Sequence, residues 1–178
     1  MIIKIELETE RTYMRNLTVA DAEDFYALNL DSEVMKYTGD NPFKSLVEAK
    51  KFLKHYDQYQ KYGVGRLGVI EKKTGEFLGW CGLKYSPEGN FYDLGYRFFR
   101  TNWGKGIATE TSFAILDFGF RQRGLNEIVG RAHAVNTASV KILEKIGMTY
   151  RKHFEYEGKQ AVWYSMTKRE YEHQYKSQ

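Results

Sequence analysis

A single cysteine, Cys81, stands among 178 residues, which excludes any disulfide within the chain and leaves a packed core as the source of stability. No apolar run approaches the roughly eighteen residues that a membrane-spanning helix needs, so no membrane partner is expected. No charged stretch followed by an apolar run marks a secretion signal. The histidines His55, His133, His153 and His173 lie far apart, without the helical or paired-cysteine spacing of a zinc site, and no metal is expected. Charge of one sign is scarce as well: 27 basic and 23 acidic residues leave a formal charge of +4, spread along the chain with no polybasic patch. Such a balance suits a phosphorylated small molecule better than a nucleic acid. Taken together, the absences place the protein in a reducing cytoplasm.

What is present is 42% apolar and 16% aromatic content, enough for one buried core, and residues 1–178 are expected to form a single domain. "RTYMRNL" (11–17) has β character. Thr18 and Asp21 open a capping box for a helix over 19–30, and Ser45 with Glu48 repeats the box at the head of 45–63. There Leu46, Ala49, Phe52, Leu53 and Tyr56 form one stripe and Gly63 offers the stop. "RLGVIEK", "FLGWCGLKY" and "FYDLGYRFF" follow as an antiparallel meander, separated by "KTGE" and "SPEGN". From Gly106 to Arg123 the period is helical, with Ile107, Ala114, Ile115 and Phe118 on the apolar side. "EIVGRAHAV" reads as strand, Asn136 caps a helix ending at Gly147, and the remaining chain reads as a hairpin turning near Glu157 and Gly158. The order predicts an α+β fold around a mixed sheet.

Two glycine patterns invite a nucleotide. "GVGRLG" (63–68) matches GxGxxG in letters, yet it leaves a helix and enters a strand, the reverse of the dinucleotide-binding order. "RTNWGKGIATET" (100–111) has the right order, strand then helix. It fails both nucleotide motifs, having Thr109 where a dinucleotide fingerprint needs glycine and Gly106 where a P-loop needs Ser or Thr. What remains is a turn in which Gly104 and Gly106 take positive φ and backbone N–H groups converge on a phosphate at the positive end of a helix.

"DLGYRFFRTNWGKGIATET", followed by "NTASVKILEKIGM", resembles the acetyl-CoA signature of the GNAT acetyltransferases, in particular the branch of ribosomal-protein N-terminal acetyltransferases. "RTYMRNLTVADAEDFYAL" and "DSEVMKYTG" are similar to that branch's opening, so the resemblance covers nearly the whole chain. It implies a mostly antiparallel central sheet flanked by helices and splayed between its fourth and fifth strands. The family pattern R/Q-x-x-G-x-G/A falls on Trp103, Gly104, Lys105, Gly106, Ile107 and Ala108. Tryptophan in the first place departs from the pattern and is common in that branch. By resemblance, N–H groups from Gly104 to Thr109 hold the coenzyme pyrophosphate and the strand edge near Phe98 pairs with pantetheine amides in the manner of an added strand. Asn136 and Ser139 face the pantetheine arm, although Asn136 is equally read as a helix cap and Ser139 as a solvated first-turn residue.

Acetyl transfer from a thioester to an amine needs a neutral amine, donors for the developing oxyanion and a proton for the departing thiolate. The family frequently has a glutamate at the place of Asp93, which makes Asp93 the candidate base; pairing with a neighbouring strand is its structural reading. Where many relatives carry a proton-donating tyrosine this chain has Leu143, which leaves Ser139 or solvent to protonate the thiolate. Trp80, Tyr85, Tyr92 and Trp163 read either as an acceptor pocket or as sheet-face packing, and Glu155 and Glu157 as contacts to a cationic amine or as a solvated hairpin tip. The expected activity is an acetyl-CoA-dependent N-acetyltransferase acting on a protein N-terminus or a small amine. Readings left open are a non-catalytic acyl-CoA sensor of the same fold and, behind it, nucleic-acid binding. Oligomeric state is open as well, a homodimer included.

Overall fold

The structure, a computed structural model, describes residues 4 and 6–175. Eight strands form its sheet: β1 (Glu6–Glu8), β2 (Thr12–Asn16), β3 (Arg66–Glu71), β4 (Phe77–Ser86), β5 (Phe91–Phe98), β6 (Glu127–His133), β7 (Thr149–Tyr156) and β8 (Lys159–Thr167). They lie side by side in the order β1-β2-β3-β4-β5-β6-β8-β7. Seven α-helices accompany them: α1 (Ala22–Leu30), α2 (Ser32–Met35), α3 (Leu46–Lys54), α4 (Gln58–Tyr62), α5 (Ile107–Asp117), α6 (Thr137–Lys145) and α7 (Lys168–Tyr175).

Neighbouring strands pair antiparallel with one exception. β5 and β6 run parallel and pair only at Asp93 with Val129 and Leu94 with Gly130. Beyond Leu94 the two strands part, so the sheet opens there. This is the splay expected between the fourth and fifth strands; β1, which the sequence pattern missed, moves it one place along.

Alternation along the strands sorts side chains onto two faces. Leu67, Cys81, Leu83, Leu94 and Phe98 point to the side where Ile115, Leu116 and Leu143 of α5 and α6 complete the larger core. On the other side Ile70, Phe77 and Trp80 pack with Phe25 and Leu28 of α1 and Leu53 of α3. Two starts match the sequence signals: the Asp21 carboxylate accepts the Thr18 N–H at 2.7 Å, and the Ser45 hydroxyl accepts the Glu48 N–H at 3.3 Å.

The helix expected over 45–63 is two helices, α3 and α4, with His55–Asp57 between them. The break lets two tyrosines reach the start of β3: the Tyr56 hydroxyl accepts the Arg66 N–H at 2.9 Å and the Tyr59 hydroxyl donates to the Arg66 carbonyl. Two helices lie outside the sequence pattern, α2 and, after the hairpin, α7, whose buried Tyr171 stacks on Phe120 at 4.8 Å.

Candidate active site

Where β5 and β6 part, a cleft of about 730 Å³ opens between α5, α6 and the sheet. The "RTNWGKGIATET" stretch forms its rim. Gly104 and Gly106 have φ of +72° and +79°, and a β-carbon on Gly104 would meet nothing within 4 Å. Conformation therefore calls for glycine here, because L side chains disfavour this region. The first backbone bond of α5 runs from the Glu110 N–H to the Gly106 carbonyl at 3.0 Å. The N–H groups of Ile107, Ala108 and Thr109 are thus left without intrahelical acceptors at the positive end of the helix, an arrangement suited to an anion.

Two side chains hold this rim in place. The Trp103 indole Nε1 donates to the Phe98 carbonyl at 2.9 Å, tying the loop back to the end of β5. Arg11, which the sequence pattern did not single out, donates to the Lys105 carbonyl at 2.8 Å and bonds Glu110 of α5 at 2.7 Å. Trp103 has an anchoring contact of its own, and the Phe98 carbonyl is already engaged by it. Lys105 contributes to the loop but does not line the cleft; Phe98, Trp103, Gly104, Gly106, Ile107, Ala108 and Thr109 all do.

Asn136 and Ser139 face the opening from α6. The Asn136 Oδ1 accepts the Ser139 N–H at 3.2 Å, so Asn136 does cap this helix. The Tyr96 hydroxyl crosses from β5 to the Ser139 carbonyl at 3.2 Å. Leu143 is buried in the cleft wall.

Asp93 also lines the cleft, on the first of the two paired steps of β5 and β6. Its Oδ2 accepts two bonds from Arg131, at 2.6 and 3.1 Å, while its Oδ1 is buried without a partner. Burial raises the Asp93 carboxyl above the usual carboxylate range, against the opposing pull of Arg131. A carboxylate with one oxygen fixed, one oxygen free and an elevated proton affinity is suited to accept a proton. The structural reading of Asp93 is also realised: Arg131 lies on the neighbouring strand. Around Arg131 are the rings of Phe91 and Tyr156, at 4.9 and 5.5 Å.

Of the four aromatic candidates, Trp80 alone lines the cleft. Tyr85 and Tyr92 pack on one another at 4.9 Å, and Trp163 packs on Phe91 at 4.9 Å. Neither Glu155 nor Glu157 lines it; their neighbours Phe154 and Tyr156 do. His133 enters the cleft wall at the end of β6, buried, with Nδ1 unpartnered. The strand pattern gave a signal for Arg131 and His133, two polar residues at alternate positions of "EIVGRAHAV", but nothing in it said which face they share. Cys81 is no nucleophile: burial pushes its thiol up to about 11.

Residues 11–149 match the family model described as an acetyltransferase (GNAT) domain. The chain belongs to the GNAT acetyltransferase family. It is 30% identical over 173 residues to an "Uncharacterized N-acetyltransferase p20" of Bacillus licheniformis, covering 93% of this chain and 97% of that one. The fold is that of a GNAT-family acetyltransferase from Bacillus anthracis, with a TM-score of 0.80 at 23% identity over 93% of this chain and 99% of that one. It is equally that of RimL, a ribosomal L7/L12 alpha-N-protein acetyltransferase in complex with coenzyme A, with a TM-score of 0.80 at 16% identity over 92% and 98% of the two chains. GNAT enzymes use acetyl-CoA, and this cleft fits it: unclaimed N–H groups for the pyrophosphate, then a β5 edge that has no β6 partner after Leu94. Among the described residues no group of three or more His, Cys, Asp or Glu is placed to hold a metal, and no helix is long and apolar enough to cross a membrane.

Proposed function

We propose that this GNAT acetyltransferase transfers acetyl directly from acetyl-CoA to a primary amine. The observation that carries the reading is the alignment of three features along one cleft. The positive-φ glycine turn and bare start of α5 stand at one end, the open edge of β5 follows, and the Asp93 carboxylate waits beyond it. The coenzyme supplies an activated acetyl thioester, and the chain supplies the rest. N–H groups of Gly104 to Thr109 bind the pyrophosphate, the β5 edge near Phe98 takes the pantetheine amides, and Asn136 and Ser139 border the arm.

Asp93 then acts as the base, its carboxylate taking the proton that the amine nitrogen gives up as the C–N bond forms and the C–S bond breaks. The thiolate leaves with a proton from the Ser139 hydroxyl or from solvent, which suffices because a thiol with a pKa near ~8.5 is a tolerable leaving group at neutral pH. The acceptor is a protein N-terminus or a small amine, and the setting is the reducing cytoplasm that a lone buried thiol suits.

A second reading is favoured by one observation: Leu143, unable to donate a proton, fills the wall where many relatives carry tyrosine. In that reading the cleft senses acyl-CoA without turning it over. Following free thiol released from acetyl-CoA, with N-terminal peptides and small amines as acceptors, separates the two. Amine-dependent release supports transfer. Saturable coenzyme binding with no release for any amine supports the sensor instead.

A further inference from the structure

Between Asp93 and the end of β5, the sheet face at the cleft carries several cationic side chains. Gly82 of β4 stands opposite Gly95 of β5, Lys84 opposite Asp93 and Trp80 opposite Arg97. Arg66 of β3 stands opposite Gly82 from the other side. Alternation puts all of these on one face of the sheet, and Arg66, Lys84, Gly95, Arg97 and Arg131 all line the cleft.

The charges around this floor do not cancel. Arg97 is matched by Asp40 at 2.6 Å and Arg131 by Asp93 at 2.6 Å. Arg66 and Lys84 are ion-paired with no carboxylate among the described residues, so two cations remain. Arg66 is held in place by stacking, its guanidinium 4.7 Å from the Trp80 ring and 5.7 Å from that of Phe52. A planar cation fixed on aromatic faces keeps its N–H edge free for an oxyanion. Lys84 stands directly opposite Asp93 and Arg66 in line with Gly95, two residues further along β5, so both share the sheet face of the proposed base, and both favour its charged form.

The coenzyme phosphates do not account for this pair. The glycine loop follows Phe98, which lies five positions along β5 from the level of Lys84 and three from that of Arg66, about 17 and 10 Å at the rise of an extended strand, and the phosphate-binding N–H groups lie further on still, from Gly104. We propose that Arg66 and Lys84 form a subsite for an anionic group on the acceptor, so that the preferred substrate is a small amine that also carries a carboxylate or a phosphate. The inference rests on the acetyltransferase reading for its chemistry and on Arg66 and Lys84 for its specificity.

The test uses matched acceptors: phenylalanine against phenethylamine for a carboxylate, and phosphoethanolamine against ethanolamine for a phosphate. Thiol release from acetyl-CoA is followed in the full-length protein. At least one acidic member is expected to exceed its uncharged partner by about tenfold or more in kcat/KM, and the pair that does so tells carboxylate from phosphate. Lys84 is exposed, so Lys84→Gln is a variant that folds, and it should narrow the ratio alongside Arg66→Gln. Equal rates within both pairs, or a preference that survives both substitutions, would overturn the subsite. In parallel, equilibrium binding of phenylalanine and phosphoethanolamine to coenzyme A-saturated protein is measured. Binding weakened about tenfold by Arg66→Gln upholds the subsite even if no amine is acetylated, in which case the transferase reading is the one that fails. Absence of binding by either acid overturns the subsite and leaves the transferase reading to the uncharged amines.

Discussion

The two ends of the cleft are built from different materials. At the end proposed for the coenzyme the available groups are backbone: N–H groups at the start of α5, the φ angles of Gly104 and Gly106, and the unpaired edge of β5. At the acceptor end they are side chains, contributed by β3, β4, β5 and β6. A backbone site is bound to local sequence, since glycine positions and a helix start specify it in about a dozen residues. A side-chain site is specified only once the sheet has brought distant strands into register. In the proposed function, the difference would let one fold keep a common coenzyme grip while its acceptor pocket varies.

The sharpest way to divide the two ends is at Asp93. Asp93→Asn keeps the size of the side chain and removes its proton affinity, and should lower kcat by about 10² or more with the affinity for acetyl-CoA unchanged. Turnover that is unaltered at every pH would take Asp93 out of the mechanism. At the other end, Gly106→Val forces a β-branched residue into left-handed backbone. The expected result is a rise of about tenfold or more in the KM for acetyl-CoA, measured together with the melting temperature so that loss of fold is told from loss of grip.

Arg131→Gln probes the pair that tunes the base. Arg131 favours the charged form of Asp93, so its removal raises the carboxyl pKa further, and the acidic limb of the kcat/KM profile should move to higher pH by about one unit. A limb that stays in place or moves down would show that Asp93 is not the group titrating. The smallest effect is expected from Ser139→Ala. Solvent competes for the same proton transfer, so the variant should lose less turnover than Asp93→Asn while still binding coenzyme A tightly, and a wild-type rate would assign the proton to solvent alone.

What could be read in the sequence follows the same division. The glycine turn, the Asn136 cap and the helix starts at Thr18 and Ser45 are local chemistry, visible in neighbouring letters and present in the structure. The splay was expected because the family resemblance implies it; the element order alone predicts only a mixed sheet. The elements that escaped are those too short or too polar to carry a period: β1 with three residues, α2 with four and α7 with one buried side chain. Residues 45–63 carried a clear helical period and still broke, at the place where Tyr56 and Tyr59 bond the Arg66 backbone of a distant strand. Arg66, Lys84 and Arg131 stand in three strands that are separated in sequence by turns and helices. No spacing rule joins them; the register Arg66 to Gly82 and Lys84 to Asp93 does.

The most direct test of a cleft with a backbone end for the coenzyme and a side-chain end for the chemistry is a comparison of steady-state parameters. Acetyl-CoA is varied at saturating amine in the native protein, Gly106→Val and Asp93→Asn. The division predicts that Gly106→Val changes chiefly KM for acetyl-CoA and that Asp93→Asn changes chiefly kcat. If both substitutions moved the same parameter by the same factor, the two ends would not be separate sites and the account would be wrong.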